Sequence, residues 1–424
     1  MSPQALWKLG LKSLQELETP QGVLASARDE AYGCIFGRDS LIVSLELLRA
    51  YKRTKNSYFL ELVERSLRTL ANLQGRHRNI ESGEEPGKII HEYRPERHEH
   101  LTRLAEDPWF LYPEGVLRNY DSVDATPLFL IAVSEYSKVG DERFLITIMP
   151  AVRAALKWLN KFDGFVTYSF HTERRHGGLK VQSWMDSTES LFYEDSNDRP
   201  PYPIASVEVQ AYSWAALRAW GQEERAAKLK EIFNEQFVLR GQKNLTLAFA
   251  LDGEGRKLTS ARSSMGHVLW AVYMKPEFPG QNGLVEAKPT RGPFGKGIPA
   301  ECILNDEYIP ALRDRLLSRD LFVPKAGIRT LSSRSLRYDH MSYHNGSIWP
   351  HDTAMLAKGL ENFGFEEDAK AVRQALLRAY AHFKTPVELY SWHRGLREYA
   401  PANGHRACRV QAWSAASLLA LLQK

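Results

Sequence analysis

Apolar residues recur along the chain with the period of an α-helix. In one stretch, Leu41, Ile42, Leu45 and Leu48 fall on a single face, because positions three and four apart are neighbours on a helix. Strand signals, such as residues 165–170, are short, and the strand–helix alternation of a parallel βαβ sheet is missing. The pattern predicts about a dozen helices, near residues 4–18, 39–54, 58–74, 123–138, 142–160, 206–220, 223–237, 262–274, 297–318, 346–363, 366–383 and 410–422.

Four long segments rich in His, Tyr, Trp, Arg, Gly and Pro separate the predicted helix pairs. Segments of this length in a compact domain usually carry function. A helical scaffold with such segments gathered at one end is typical of an all-α (α/α) barrel with its site at the mouth. No shift in composition indicates a linker, so we expect residues 1–424 to form a single catalytic domain. The segments are 75–119, 171–205, 275–296 and 321–345.

The composition excludes several classes of protein. Apolar residues make up 43% and aromatic residues 11% of the chain, which is enough for a large core. The 56 basic and 51 acidic residues are spread evenly, so we expect no nucleic-acid partner. Cys34, Cys302 and Cys408 are odd in number and lack C-x-x-C spacing, which indicates neither a disulfide framework nor a zinc site.

The N-terminal residues show the pattern of an amphipathic helix without a secretory apolar region. No stretch approaches the ~18 continuous apolar residues of a membrane span. We therefore expect a cytoplasmic protein with no membrane partner, and the sequence leaves its oligomeric state open.

Several carboxylates lie beside aromatic residues in the predicted loops. Glycoside hydrolysis needs two carboxyl groups across the scissile bond, one as proton donor and one as base or nucleophile. Trp184 precedes Asp186 and would desolvate it, which raises the pKa of a carboxyl group and suits a general acid. The alternative is a helix N-cap, since Glu189 completes the spacing of a capping box. Glu388 and Glu398 precede the last helix and are further candidates. The alternative is that both are solvated loop residues.

A short Phe36-Gly-Arg-Asp-Ser40 segment leads directly into a predicted helix. Arg38 and Asp39 can grip vicinal sugar hydroxyls, because the guanidinium donates hydrogen bonds and the carboxylate accepts them. In the competing interpretation Asp39 or Ser40 caps the helix and Arg38 is a surface charge. Both interpretations can hold together.

Eight segments resemble, in order, the landmarks of the amylo-α-1,6-glucosidase family, the glucosidase half of glycogen-debranching enzymes. They extend from residue 36 to residue 416, which is most of the chain, and share fragments with glucoamylases and neutral invertases. The resemblance implies an (α/α)6 barrel that hydrolyses α-glycosidic bonds with inversion. The segments are FGRDSLI, GKIIHEYR, YDSVDATPLFL, SWMDS, ASVEVQAY, GIRTL, SYHNGSIWPHD and QAWSAA.

The same resemblance implies roles for individual residues. Arg38 and Asp39 bind the sugar in the cleaved subsite, and Asp186 is the general acid. The family's base lies in a P-E-L-F element about 25 residues before the Trp of QAW, and Glu388 lies 413 − 388 = 25 residues before Trp413. Glu398 is the alternative base, because related mannosylglycerate and glucosylglycerate hydrolases carry theirs in an R-E-Y element, and Arg397-Glu398-Tyr399 stands here.

Further residues are expected to line the site. Asp121 or Asp124 caps a helix, and we assign substrate contact to Asp124; Glu208 and Gln210 either line the site or form buried structural hydrogen bonds. Pro95 stands where a HExxH motif needs its second histidine, so we expect no metal and no cofactor. The set of expected substrate-binding residues is Phe36, Arg38, Asp39, His91, Glu92, Tyr93, Arg94, Asp124, Trp184, Glu208, Gln210, Tyr343, His344, Asn345 and Trp349.

These observations predict an inverting glycoside hydrolase that releases glucose from a terminal α-glucoside, with its two carboxyl groups ~6.5–9.5 Å apart. Only 35 residues precede the first landmark, which begins at Phe36, so we expect an oligosaccharide or small glycoside as substrate rather than a glycogen particle.

Three rival functions remain. A mannosylglycerate, glucosylglycerate or other small-glycoside hydrolase (sucrose, trehalose) would gain from a positive loop near Arg94 or Arg329; however, glycosylglycerate hydrolases have Trp-Arg where His344-Asn345 stands here. A glycoside phosphorylase would need a phosphate pocket in place of the base. A non-catalytic sugar-binding module would lack a carboxylate facing Asp186.

Overall fold

The computed structural model describes residues 1–239, 246–274, 291–292, 295–296 and 300–422. Helices dominate this part of the chain, and none of them is long and apolar enough to cross a membrane. The thirteen α-helices of the described residues are α1 (Pro3–Glu16), α2 (Gly37–Thr54), α3 (Ser57–Asn72), α4 (Glu99–Thr102), α5 (Ala125–Ser137), α6 (Glu142–Leu159), α7 (Val207–Ala219), α8 (Glu223–Gln236), α9 (His267–Trp270), α10 (Ile309–Leu316), α11 (Pro350–Asn362), α12 (Glu366–Phe383) and α13 (Ala412–Leu421).

The helices form two concentric rings. In the inner ring α2, α5, α7, α9, α11 and α13 each pack against the next, and α13 closes the ring against α2. Each inner helix is backed by an outer one, in the order α3, α6, α8, α10, α12 and α1; the short α9 meets α10 through the 3-10 turn Ser263–Gly266 that precedes it. The predicted all-α (α/α)6 barrel is therefore confirmed.

Burial follows from the position of each helix in the two rings. Every residue from Val207 to Leu217 of the inner helix α7 is buried, because one side faces the barrel interior and the other faces the outer ring. Such a helix has no polar face and a weak helical periodicity. The outer helix α3 shows the familiar amphipathic spacing instead, with buried residues at Phe59, Leu62, Val63, Ser66, Leu67 and Leu70.

Strands are short and pair only in antiparallel ladders within the described residues. Three of them, β3, β4 and β5, form a small sheet that supports one end of the barrel. The strands are β1 (Glu18–Thr19), β2 (Gly22–Val23), β3 (Ile35–Phe36), β4 (Glu92–Arg94), β5 (Leu117–Asn119), β6 (Ala205–Ser206), β7 (Val238–Leu239), β8 (Thr246–Leu247), β9 (Ala250–Leu251), β10 (Lys257–Leu258), β11 (Tyr273–Met274), β12 (Arg291–Gly292), β13 (Gly295–Lys296), β14 (Ala300–Glu301), β15 (Phe322–Val323), β16 (Gly327–Ile328), β17 (Tyr390–Trp392) and β18 (Leu396–Glu398).

Two predicted helices and one strand signal differ from the structure. The helix predicted at 262–274 is a 3-10 turn plus α9, because residues 273–274 instead pair with β14. Of the helix predicted at 297–318, residues 297–299 lie outside the described residues, and Ala300–Glu301 form β14 instead. The α-helix in this range is Ile309–Leu316, with Pro310 in its first turn, where proline favours a helix start. Residues 165–170 form no ladder; Tyr168 makes an isolated bridge to Ile204. The predicted loop 275–296 lies largely outside the described residues.

The inner helices begin at one end of the barrel. Arg38 and Asp39 stand in the first turn of α2, Trp413 in that of α13, and Trp349 directly before α11; all four line one pocket. Asp124, directly before α5, bonds to Arg38 at the same end. The positive ends of several helix dipoles therefore converge here, which favours negatively charged groups.

Candidate active site

A pocket of about 370 Å³ opens at this end of the barrel. Its lining combines aromatic rings with carboxyl groups, a mixture that is typical of small-ligand sites. Seven of the residues expected from the sequence to bind substrate lie in its wall, together with Asp186 and Glu388. The lining residues are Tyr32, Phe36, Arg38, Asp39, Trp184, Asp186, Tyr343, His344, Trp349, Glu388, Gln411 and Trp413.

Arg38 is the buried centre of one wall. Its Nε donates to Asp124 at 2.6 Å, its Nη1 to Asp186 at 2.9 Å, and its Nη2 to the Ser183 carbonyl oxygen at 2.9 Å. The guanidinium is thus fixed by two elements, the start of α5 and the loop that carries Asp186. Arg38 therefore orients Asp186 and supplies positive charge beside it.

The entry to α2 depends on close packing of β3 against the chain before β4. The Gly37 N–H donates to the His91 carbonyl at 2.8 Å, and a Cβ on Gly37 would stand 2.0 Å from the carbonyl oxygen of Ile90. Any side chain larger than hydrogen would push α2 away from this strand. The glycine before Arg38 therefore sets the position of both Arg38 and Asp39.

Glu388 also lines the pocket, and it lies in the segment between α12 and α13. The Tyr343 hydroxyl donates to Glu388 Oε1, and the Cys408 N–H donates to Oε2 at 2.7 Å. Burial raises the pKa of Glu388 to about 7, although both hydrogen bonds favour the ionised form. A carboxylate with a pKa near neutral and with both oxygens held is suited to accept a proton.

Two further carboxyl groups share the pocket. Burial raises the pKa of Asp39 to about 7; Arg38 opposes this rise and Asp186 adds to it. Burial also raises the pKa of Asp186, against the effect of Arg38. Burying several carboxyl groups in one small pocket reduces the stability of the fold. Such a cluster with raised pKa values is therefore typical of acid–base sites, where function requires it.

Aromatic side chains form the rest of the wall. Trp184 contacts Trp349 edge-on at 5.1 Å between ring centroids, and the ring of His344 stacks on Trp349 at 5.2 Å. The indole N–H groups of Trp184 and Trp413 and the Oε1 atom of Gln411 are buried without a protein partner. Buried polar groups are normally hydrogen-bonded, so these three atoms are free to bind hydroxyl groups of a ligand.

The H-E-Y-R segment does not reach the pocket lining. His91 packs its ring edge-on against Phe36 at 5.3 Å, and Glu92 pairs with Arg94, whose Nη2 also bonds to the Ala31 carbonyl oxygen at 2.7 Å. These residues, with the half-buried Tyr93, lie behind the wall and support it. The expectation that the four residues line the mouth is therefore replaced by a supporting position.

Four other predicted residues also act behind the wall. Asp124 holds Arg38, and Gln210 bonds through its amide to both backbone groups of Val166 at 2.9 Å. Asn345 donates to the Glu189 carbonyl oxygen at 2.8 Å, and Glu208 lies in a separate small cavity. Gln210 therefore forms buried structural hydrogen bonds, the second of the two alternatives that the sequence offered for it.

The two candidate bases differ sharply in environment. Glu388 is 1% exposed and lines the pocket, whereas Glu398 is an exposed residue of β18 that pairs with Tyr390 across the hairpin and is absent from the lining. Tyr399, next to Glu398, is buried and contacts the Tyr343 ring at 5.9 Å. The assignment of the base remains a prediction, and the buried position of Glu388 in the pocket wall favours Glu388 over Glu398.

Three lining residues were not selected from the sequence: Tyr32, Gln411 and Trp413. Tyr32 hydrogen-bonds to Tyr343 at 3.0 Å, and the Gln411 amide donates to Asp39 at 3.3 Å. Gln411 and Trp413 stand in the QAWSAA segment, which is one of the eight landmarks and lies 25 residues after Glu388 at Trp413. This segment begins the inner helix α13, and that position was the signal that could have identified Gln411 and Trp413.

Residues 301–405 match the family model of the mannosylglycerate hydrolase MGH1-like glycoside hydrolase domain. None of the curated proteins matches the chain. The match covers the segment that carries Tyr343, His344 and Glu388. Together with the barrel, it confirms the prediction that the chain is a glycoside hydrolase.

The fold is similar to that of GH63 mannosylglycerate hydrolase from Thermus thermophilus. Its glucose complex has a TM-score of 0.63 at 13% identity over 99% of this chain and 100% of that chain. Its complex with Tris and D-glycerate has a TM-score of 0.61 at 14% identity over 98% and 99%. A glycosidase variant in complex with glucose gives 0.59 at 14% over 99% and 96%. At these identities the likeness establishes the fold alone.

Proposed function

We propose that the protein is an inverting α-glycosidase that releases a terminal glucose from a small α-glucoside. The observation that carries this proposal is the presence of Asp186 and Glu388 in the wall of one aromatic pocket, each with its pKa raised by burial. Hydrolysis at an anomeric carbon requires such a pair of carboxyl groups.

Glu388 acts as the general base in this proposal. Its two oxygens accept hydrogen bonds from Tyr343 and from the Cys408 N–H, which fixes the orientation of the carboxylate. In the inverting reaction it takes a proton from a water molecule, and that water attacks the anomeric carbon from the face opposite the leaving group. The hydrogen-bonded Tyr32–Tyr343 pair extends this arrangement toward the pocket wall.

Asp186 acts as the general acid. Its protonated form gives a proton to the glycosidic oxygen as the bond to the anomeric carbon breaks. Arg38 holds it through Oδ2. Asp39, whose pKa is also raised, accepts a hydrogen bond from Gln411 and is placed to receive sugar hydroxyls, while the unpartnered indoles of Trp184 and Trp413 donate to them.

The lining favours a neutral glucoside over a glycosylglycerate. A glycerate carboxylate calls for a free cation, and Arg38, the cation of the lining, is already held by Asp124 and Asp186. Arg94 pairs with Glu92, and Arg329 donates to the carbonyl oxygens of residues 319 and 320. We accordingly place the substrate with the amylo-1,6-glucosidase type, which the ordered landmarks resemble.

The second candidate is a mannosylglycerate or glucosylglycerate hydrolase. The match of residues 301–405 to the corresponding glycoside hydrolase domain favours it. In that case a glycerate carboxylate would have to compete with Asp186 for Arg38.

A substrate panel separates the two candidates. Isomaltose, a branched limit dextrin, trehalose, sucrose, mannosylglycerate and glucosylglycerate are incubated with the protein, and ¹H NMR follows the released sugar and its anomer. Release of β-glucose from isomaltose or the dextrin supports the proposal, and turnover of only the two glycerates would replace it with the second candidate. Binding without turnover of any substrate would contradict both.

A further inference from the structure

Arg262 is a buried guanidinium outside the pocket lining. It directly precedes the 3-10 turn of the fourth inner helix and is 1% exposed. It forms no salt bridge with any carboxylate of the described residues, in contrast to Arg38. Burying an unpaired arginine is costly, so its hydrogen bonds must explain its presence.

The hydrogen bonds of Arg262 join two separate segments of the site. Toward the loop that carries Asp186, its Nη2 donates to the Ser190 carbonyl oxygen at 2.7 Å and its Nη1 contacts Met185 Sδ at 3.4 Å. Toward the segment before α11, Nη1 donates to the His344 carbonyl oxygen and Nη2 to Asn345 Oδ1, at 2.9 and 2.8 Å. Met185 is adjacent in sequence to Asp186, and His344 lies in the pocket wall.

The same two segments are joined a second time nearer the pocket. His344 Nδ1 contacts the Ser187 hydroxyl at 2.8 Å, and the Asn345 amide donates to the Glu189 carbonyl oxygen at 2.8 Å. Arg262 bonds to the same two segments through Ser190, His344 and Asn345. It therefore strengthens the connection between the loop that carries Asp186 and the wall at His344.

Two features fix the guanidinium itself. The rings of Phe192 and Phe249 lie at 5.0 and 4.7 Å from its central carbon, within the range of cation–π contacts. Beside it lies a small cavity whose lining includes Arg262 and Glu208. Arg262 Nε has no protein partner, and Glu208 is the carboxylate that most favours the charged arginine.

We propose that Arg262 is a positioning residue for the general acid, held in place by its forked hydrogen bonds and by Glu208 across the small cavity. The proposal rests on the proposed function, because it assigns Arg262 an effect on Asp186. It also assigns Glu208 a task other than sugar binding. A planar fork with several donors suits this task, and an ammonium group does not.

The experiment compares two substrates that differ in their need for the acid. Isomaltose has a poor leaving group that must be protonated, whereas α-glucosyl fluoride departs without a proton from a general acid. Arg262→Met, Arg262→Lys and Glu208→Gln are measured on both, beside Asp186→Asn. Arg315→Met is the matched control, since Arg315 is also largely shielded from solvent, with 11% of its side chain exposed, but it pairs with Asp320 and is absent from the pocket lining.

A 1 Å displacement of a reacting group can cost about 10²-fold in rate. We expect Arg262→Met to lower kcat on isomaltose by roughly 10- to 100-fold and on the fluoride by less than about threefold. Arg262→Lys and Glu208→Gln should follow the same direction with smaller losses. Equal losses on both substrates, or unchanged kcat in a folded Arg262→Lys, would overturn the proposal. An inactive wild type on both substrates would instead contradict the proposed function.

Discussion

The inner and outer rings of the barrel use their residues in different ways. Outer helices such as α3 and α6 bury one apolar face and expose the other. Inner helices are buried on nearly all sides, yet their first turns carry charged and polar residues such as Arg38, Asp39 and Glu208. Polar groups in such a position reduce stability unless each has a partner, so their concentration at one end of the inner ring identifies the functional end.

This comparison leads to different expectations for the two rings. Substitutions at the starts of the inner helices, and in the loops before them, should affect turnover more than stability. Substitutions on the buried faces of the outer helices should affect stability more than turnover.

The largest expected effect is loss of catalysis without loss of fold. Asp186→Asn and Glu388→Gln should each lower kcat by roughly 10²- to 10⁴-fold, the usual contribution of a general acid or base. Because burial raises the pKa of Glu388 to about 7, its ionised form disfavours folding at pH 8. Glu388→Gln should therefore unfold at a temperature no lower than the wild type at that pH. Steady-state rates measure kcat, and calorimetry measures Tm. A large fall in Tm would contradict the expectation that substitutions at the inner ring affect turnover more than stability.

The converse test lies in the outer ring. Phe59 is fully buried in α3 and contacts Trp7 edge-on at 6.1 Å. Phe59→Ala should lower the free energy of unfolding by about 3–5 kcal/mol, since it removes a buried aromatic ring and leaves a cavity. Its kcat at a temperature where it remains folded should stay within about twofold of the wild type. Urea titration and rate assays check the two halves, and a strong loss of kcat in folded protein would show that the rings are not separable.

The dependence of activity on pH tests the environment of Glu388, which lies in the segment before the inner helix α13. The base must be deprotonated, so activity is lost as the pH falls through its pKa. With the pKa of Glu388 raised to about 7, the acidic limb of kcat/KM should lie near pH 7 and fall about tenfold per pH unit below it. A pH–rate profile with a limb near 4.5, the value of an ordinary glutamate, would be inconsistent with the buried environment of the base.

The smallest expected effect concerns one hydrogen bond to the substrate. Trp413→Phe keeps an aromatic ring against His351, which it contacts at 3.7 Å, but removes the unpartnered indole N–H. Loss of one such bond costs about 1 kcal/mol, or roughly fivefold in KM. Substrate titrations of the variant give the value. An unchanged KM would mean that the indole N–H faces no sugar hydroxyl.

Sequence periodicity located the amphipathic outer helices well. It was less informative at the fourth hairpin, where a 3-10 turn, the short α9 and a proline-started α10 replace two longer predicted helices. The reason is physical: α9 is so short that its residues follow tertiary contacts, including the pairing of β11 with β14, rather than a helical repeat.

The lining of the candidate pocket was predictable where a motif combined reactive groups with an inner-helix start, as at Arg38 and Asp39, or with a neighbouring tryptophan, as at Asp186. It was not predictable where a residue acts through contacts distant in sequence. Glu92 and Arg94 pair with each other behind the wall. The sequence shows that two charged residues lie close together, but it does not show that each is the other's partner. Tyr32 hydrogen-bonds in the pocket to Tyr343, a contact that spans most of the chain.

In the proposed mechanism, Asp186 and Glu388, and not Glu398, form the catalytic pair of an inverting hydrolase. The most direct measurement follows the first anomer released from isomaltose by ¹H NMR, for the wild type, Glu388→Gln and Glu398→Gln side by side. We expect β-glucose from the wild type and from Glu398→Gln, and almost none from Glu388→Gln. Release of α-glucose first, or a loss of activity in Glu398→Gln with turnover kept in Glu388→Gln, would contradict it.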